Sequence, residues 1–293
     1  MSNIIRADIY RIVRGKGLYI TLAVFLAIIL LPVVSGTSMN SGISYSAVEA
    51  FDSMEGAGGF MVAVIEVDSE SMEIPEPPDL SDFFQPPTGA EAPFRVLMDS
   101  HNILYFLLPL IVFVGSADFS SGAAKNTLSH GVSRAKYYGA KLILSCVFCA
   151  LLLLAYAVLS ILAATVFNGF GGTFDGAYVL DVVKIFLPQL WLCLAGACVV
   201  NFFVFLFRQR DGAVSGLFIA FMLVPGVAIF ALSYINDWFR SLFDYELTMN
   251  IGRMVEIGGM SAGDTAKALL VGAGYIALAV AGGFAVFKKA EIK

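Results

Sequence analysis

Apolar residues come along this chain in six long blocks, 18–34, 103–117, 142–167, 185–207, 213–234 and 266–287, separated by polar or Gly- and Pro-bearing segments. A bilayer core about 30 Å thick takes roughly 20 apolar residues per crossing helix, so each block predicts a membrane span. The second is short, and its span is expected to begin earlier, near Leu97. Ahead of the first block, Ile5, Ile9, Ile12 and Val13 recur at i, i+4, i+7 and i+8, an apolar stripe on a helix. Arg6, Arg14 and Lys16 are left for lipid headgroups. Residues 1–17 therefore read as an amphipathic helix lying on the membrane surface. A basic start before an apolar core is also how a signal peptide begins, but such a peptide needs no stripe.

The segments between the blocks are very unequal. Residues 37–100 contain "EVDSESMEIPEPPDLSDFFQPPTGAEAP", with six of the ten prolines and twelve acids against the single Arg95. Proline lacks an amide donor and fixes its φ angle, so this piece is neither a long helix nor a central strand, and an extended loop is expected. Within it, 47–68 reads as a short surface helix followed by a strand. The insert is either a weakly structured outer cap or an acidic antechamber that concentrates cationic solutes.

Composition supports lipid as the solvent: 58% of the 293 residues are hydrophobic and 14% charged, more apolar surface than a soluble domain of this size hides. Charge then sets the orientation. The N-terminal segment, residues 118–141, the turn 208–211 with Arg208 and Arg210, and the tail hold 13 of the 18 cations but only four of the 23 acids. Lys and Arg in short loops stay cytoplasmic, so both termini are expected inside, the insert 37–100 outside, and the protein in the cell membrane. Membrane lipid is an expected partner and nucleic acid is not.

Candidate chemistry is sparse. Cys146, Cys149, Cys193 and Cys198 all fall within predicted spans, which indicates no disulfide framework; Cys146 and Cys149 share a helix face but are read as packing residues, and neither metal nor cofactor is expected. Gln189 and Asn201, twelve residues apart in the fourth span, either bond to a neighbouring helix or line a translocation path. Pro32, Pro109, Pro188 and Pro225 sit in or near the ends of spans, where they can kink helices. No row of ionisable residues crosses the membrane, which argues against ion-coupled transport. No phosphate-binding Gly-x-x-x-x-Gly-Lys-Ser/Thr loop is present. The inner segments are also too short to form a domain. If nucleotide drives this protein, a separate chain must hydrolyse it.

The most polar connection, "SADFSSGAAKNTLSHGVSRAKYYGAKLIL" over 116–144, gathers Lys125, His130, Arg134, Lys136 and Lys141. Ser120 or Ser121 offers a cap, 122–129 a short helix, Gly131 a stop, and Ser133 the cap of the third span. Positive-inside topology explains the cations but not a capped helix bearing Asn126, Thr127 and His130.

With an acid leaving the second span and "SSGAAKNTLSHGVSRAKYYGAKLI" after it, the stretch resembles the coupling-helix region of the type 2 ATP-binding-cassette permeases, in which Gly-Thr-x-Lys-Asn-x-Leu-Ser and a following Ser-Arg are common. The amphipathic start, six spans, large first outer loop and basic tail extend the resemblance along the whole chain. It implies an all-α membrane protein whose permease domain covers 18–293, with an extracellular insert at 37–100 and a coupling region at 118–141. It further implies a dimer with a second permease subunit, each seating its coupling helix in an ABC ATPase subunit and exporting solute, with peptide-antibiotic exporters among relatives of this size. By match to the motif, Asp118, Ser121, Gly122, Lys125, Asn126, Thr127, Leu128, Ser129 and Arg134 form or support the ATPase contact. Ala123 departs from the pattern, where Thr is frequent. A sensor or scaffold using 37–100 as its receptor part is the alternative. A membrane-embedded enzyme would need a catalytic cluster, and His101 with Asp99 is the only near pair of that kind.

Overall fold

The computed structural model describes residues 2–35, 87–98, 100–120, 122–207, 211–254 and 260–289, and among them are helices and turns but no strand. In chain order the helices are α1 (Ser2–Arg14), α2 (Lys16–Ser35), α3 (Ala92–Met98), α4 (Ile103–Ser120), α5 (Ala123–Ser129), α6 (Arg134–Asn168), α7 (Gly176–Phe207), α8 (Asp211–Ser233), α9 (Leu247–Arg253) and α10 (Ala262–Lys289), with 3-10 turns at Ser100–Asn102 and Asp237–Tyr245. The helix and strand expected over 47–68, most of the acidic insert, Asp99 and Ser121 lie outside the described residues.

Among the described residues, four stretches, Arg134–Asn168, Gly176–Phe207, Val214–Ser233 and Ala262–Lys289, are long and apolar enough to cross a membrane. α2 and α4 contribute shorter described apolar stretches, Leu18–Ala27 and Ser100–Val112. At 1.5 Å per residue, the 35-residue α6 and 32-residue α7 outrun a core of about 30 Å. Their ends therefore project beyond it. Local sequence explains where α6 stops: Ser133 accepts a hydrogen bond from the Lys136 amide at its start, and Gly169, at φ +78°, ends it.

α7 is the central helix, packed against α4, α6, α8, α9 and α10. Small residues let its neighbours come close. A Cβ at Gly196 would overlap the Leu104 side chain of α4. The main apolar core, including Phe25, Leu104, Leu107, Leu153, Leu192 and Phe218, runs between these helices. Pro109, Pro188 and Pro225 lie inside α4, α7 and α8, positions where a missing amide donor permits a kink.

The two ends of the bundle are closed differently. At one end the chain before α3 is tied to the α6–α7 connection: Gly89 N donates to Gly169 O at 2.9 Å, Ala90 N to Phe170 O at 2.8 Å, and Asn168 Nδ2 to Pro87 O at 3.0 Å. At the other end lie α1, the C-terminal ends of α4, α7 and α10, all of α5 and the start of α6, which converge on the polar connection 118–141.

Candidate functional site

The amphipathic helix α1 is present, and one side of it packs on the bundle. Ile12 is buried and Ile5 half-buried against the bundle, whereas Ile9 and Val13 remain exposed. The stripe thus divides between protein and surroundings, because the bundle-facing side also carries a charge. Asp8 and Arg11, three apart, and Ile12, four from Asp8, share one side of the helix.

That side meets α4 and α6 in a buried ionic cluster. The Lys141 ammonium lies 2.7 Å from Asp8 Oδ2 and 2.6 Å from Asp118 Oδ2. Arg11 Nη1 donates to Asp118 Oδ1, and the Tyr137 hydroxyl donates to Asp118 Oδ2 at 2.7 Å. Tyr137 and Lys141 are four apart on α6 and so stack on one face. The side chains of Lys141, Asp8 and Asp118 are only 4%, 3% and 6% exposed, while Arg11 is 36% exposed. Two carboxylates balance one ammonium and one guanidinium, the condition under which charges persist away from water. Burial raises the Asp8 carboxyl above its ordinary value, against the pull of Lys141. The motif residue Asp118 therefore faces inward and accepts three donors, joining α1, α4 and α6.

Next to this cluster, Phe119, Tyr137, Tyr138, Phe205 and Phe287 close around Ala124 of α5. Ring centroids are 4.8 Å apart for Tyr138 and Phe205, and 4.9 Å for Phe205 and Phe287. Arg134 Nη1 donates to the carbonyls of Phe287, at 3.1 Å, and Lys288, a cation placed on the negative end of α10. Arg134 is thus occupied in holding the last helix to the first turn of α6.

α5 sits on this platform with two distinct sides. Ala124 is buried, Leu128 packs half-buried on the aromatic cluster, and the Thr127 hydroxyl donates back to Ala123 O at 2.8 Å. Lys125, Asn126, Ser129 and His130 are exposed. The expected cap at Ser120 or Ser121 is corrected: α4 runs to Ser120, and Gly122 takes the capping position in a left-handed conformation, φ +70°, with no side-chain cap. A glycine there turns the chain sharply out of α4, which a serine would do only under strain. The stop at Gly131, φ +87°, and the cap at Ser133 are as expected.

Gln189 and Asn201 are both buried. Gln189 Nε2 donates to Ile251 O at 3.4 Å, and Asn201 Nδ2 to Ala197 O of its own helix at 3.1 Å. Asn201, Lys141 and Ser145 border a void of about 10 Å³, roughly the room of one water. The four cysteines are free thiols. Among the described residues no three His, Cys, Asp or Glu side chains gather to hold a metal. The ionic cluster fixes one helix, α1, to two others, α4 and α6.

Asp8, Arg11, Tyr137 and Lys141 were not among the candidates read from the sequence. One signal was available: Asp8 is the only acid of residues 1–17 and Asp118 the only acid of 118–141. A single acid in a strongly basic segment invites a search for its cation. Comparison of the chain with protein-family models, with curated proteins and with solved structures returns no match.

Proposed function

We propose that this chain is the membrane-spanning subunit of an ATP-driven exporter, seating a separate ATPase subunit on α5. In this reading α2 and α4 complete six spans with α6, α7, α8 and α10, both termini and α5 face the cytoplasm, and the protein works in the cell membrane with a second permease subunit. The observation that carries it is α5 itself: a seven-residue helix between two long helices, with Lys125, Asn126, Ser129 and His130 turned outward and Ala124 and Leu128 turned onto a rigid platform. A loop that merely retained cations inside would need neither the turn at Gly122 nor that seat. The platform would carry a push on α5 into α1, α6 and α10 through Asp118 and the aromatic cluster.

The test uses that two-sidedness. Lys125→Ala with Asn126→Ala and Ser129→Ala removes three outward side chains, of which Ser129 also donates within the exposed end of α5 to Asn126 O at 2.8 Å, and an ATPase contact losing several interfacial hydrogen bonds loses on the order of 2 to 4 kcal/mol. The triple variant is expected to reach the membrane at parental abundance and with parental thermal stability, yet to release its ATPase on purification and to export poorly. Parental co-purification and export would refute the docking role.

A further inference from the structure

The second apolar block is preceded by a break in the helix: α3 ends at Met98, the chain makes a 3-10 turn over Ser100–Asn102, and α4 begins at Ile103. One residue of this turn is enclosed, while His101 and Asn102 are half-buried. Ser100 is fully buried, and its carbonyl accepts from Cys193 Sγ of α7 at 3.8 Å. Gln189, also fully buried, lies one helical turn before Cys193 and reaches Ile251 O of α9. The turn packs on both α7 and α9, so three elements meet at one junction. Gln189 stands four residues, about 6 Å, inside the apolar block 185–207.

Among the described residues, three side-chain atoms here are buried without a hydrogen-bond partner: Ser100 Oγ, His101 Nδ1 and Gln189 Oε1. Such atoms are few in native proteins, and non-helical backbone at membrane depth persists only where protein or water satisfies it. We propose that this junction is a binding site for water, holding at least one molecule among Ser100 Oγ, His101 Nδ1 and Gln189 Oε1. The chemistry fits water in each part. The amide oxygen only accepts, a neutral imidazole nitrogen accepts when its other nitrogen carries the proton, and a hydroxyl both accepts and donates. Water supplies two O–H donors and takes the hydroxyl proton. None of the three atoms bears a formal charge, which favours a neutral ligand over a cation. Asn250 and Arg253 of α9 also border a cavity of about 290 Å³ with Asp244, Met260, Asp264 and Lys267, and Ile251 of the same helix takes the Gln189 bond.

Radiolytic hydroxyl labelling of the purified full chain in lipid nanodiscs tests this, because a bound water yields its radical in place and oxidises enclosed neighbours. Cys193 is expected to be oxidised several-fold faster than Cys149, although both are fully buried, and Ser100→Ala is expected to slow Cys193 while being no more stable than the parent. Labelling of Cys193 at the Cys149 rate, or a Ser100→Ala variant more stable than the parent, as loss of an orphaned hydroxyl from a dry site would give, overturns the proposal. Neither measurement involves an ATPase, so its failure and that of the permease reading are separate results.

Discussion

Removing the Asp118 carboxylate should weaken the seat of α1 on the bundle. In Asp118→Ala, Lys141 keeps Asp8 alone, while Tyr137 and Arg11 lose the acceptor they share. Removing one partner of a buried ion pair costs about 3 to 5 kcal/mol. Arg11 is more than a third exposed, so water replaces most of its loss and its share is about 1 kcal/mol or less. Asp118→Asn with Lys141→Gln leaves no uncompensated ammonium beside Tyr137, and the protonatable Asp8 adapts by taking a proton. The double variant is therefore expected to lose less than the sum of its single variants, by about 1 to 3 kcal/mol. Denaturation in detergent, followed by a thiol-reactive dye, reads this directly because Cys149 and Cys193 are fully buried reporters in α6 and α7. Additivity within about 0.5 kcal/mol would refute the claim that the two residues act as a buried ion pair.

Two further predictions concern charge. Asp8 has a folded-state pKa above its ordinary 3.8, so between those values the folded state binds more protons and stability from this group falls as pH rises; Asp8→Asn should abolish that part of the pH slope, and an unchanged slope would assign it to another group. For topology, single cysteines placed at Lys125 and at Asp175 in a chain lacking the four native cysteines should react with an impermeant thiol reagent in intact cells at Asp175 only; labelling of Lys125→Cys without permeabilisation would reverse the assigned orientation.

Periodicity and run length made the long helices legible, because a crossing helix writes its requirement locally as consecutive apolar residues. The glycine stop at 131 and the serine cap at 133 were legible for the same reason, since each acts within one helical turn. The cluster joining Asp8, Arg11, Asp118 and Lys141 was not, since its closest sequence partners, Asp118 and Lys141, are 23 apart and Arg11 and Asp118 are 107 apart. A tally of cations per segment gives Arg11 and Lys141 the same weight as Arg6 and Lys125, although the first two are ion-paired and the last two are exposed.

The same blindness affected the motif. "KNTLS" reads as one contact strip, but a helix with 3.6 residues per turn must send neighbours to different sides. Lys125, Asn126 and Ser129 face out, while Thr127 and Leu128 serve the local fold. A substitution of Leu128 therefore cannot separate docking from stability, since it strips packing from Phe119, Tyr137, Phe205 and Phe287 as well. Arg134 carries the same ambiguity, because its guanidinium closes the end of α10. Only the outward residues isolate recognition, and a motif match becomes a usable set of contact residues once each position has been assigned to its side of the helix.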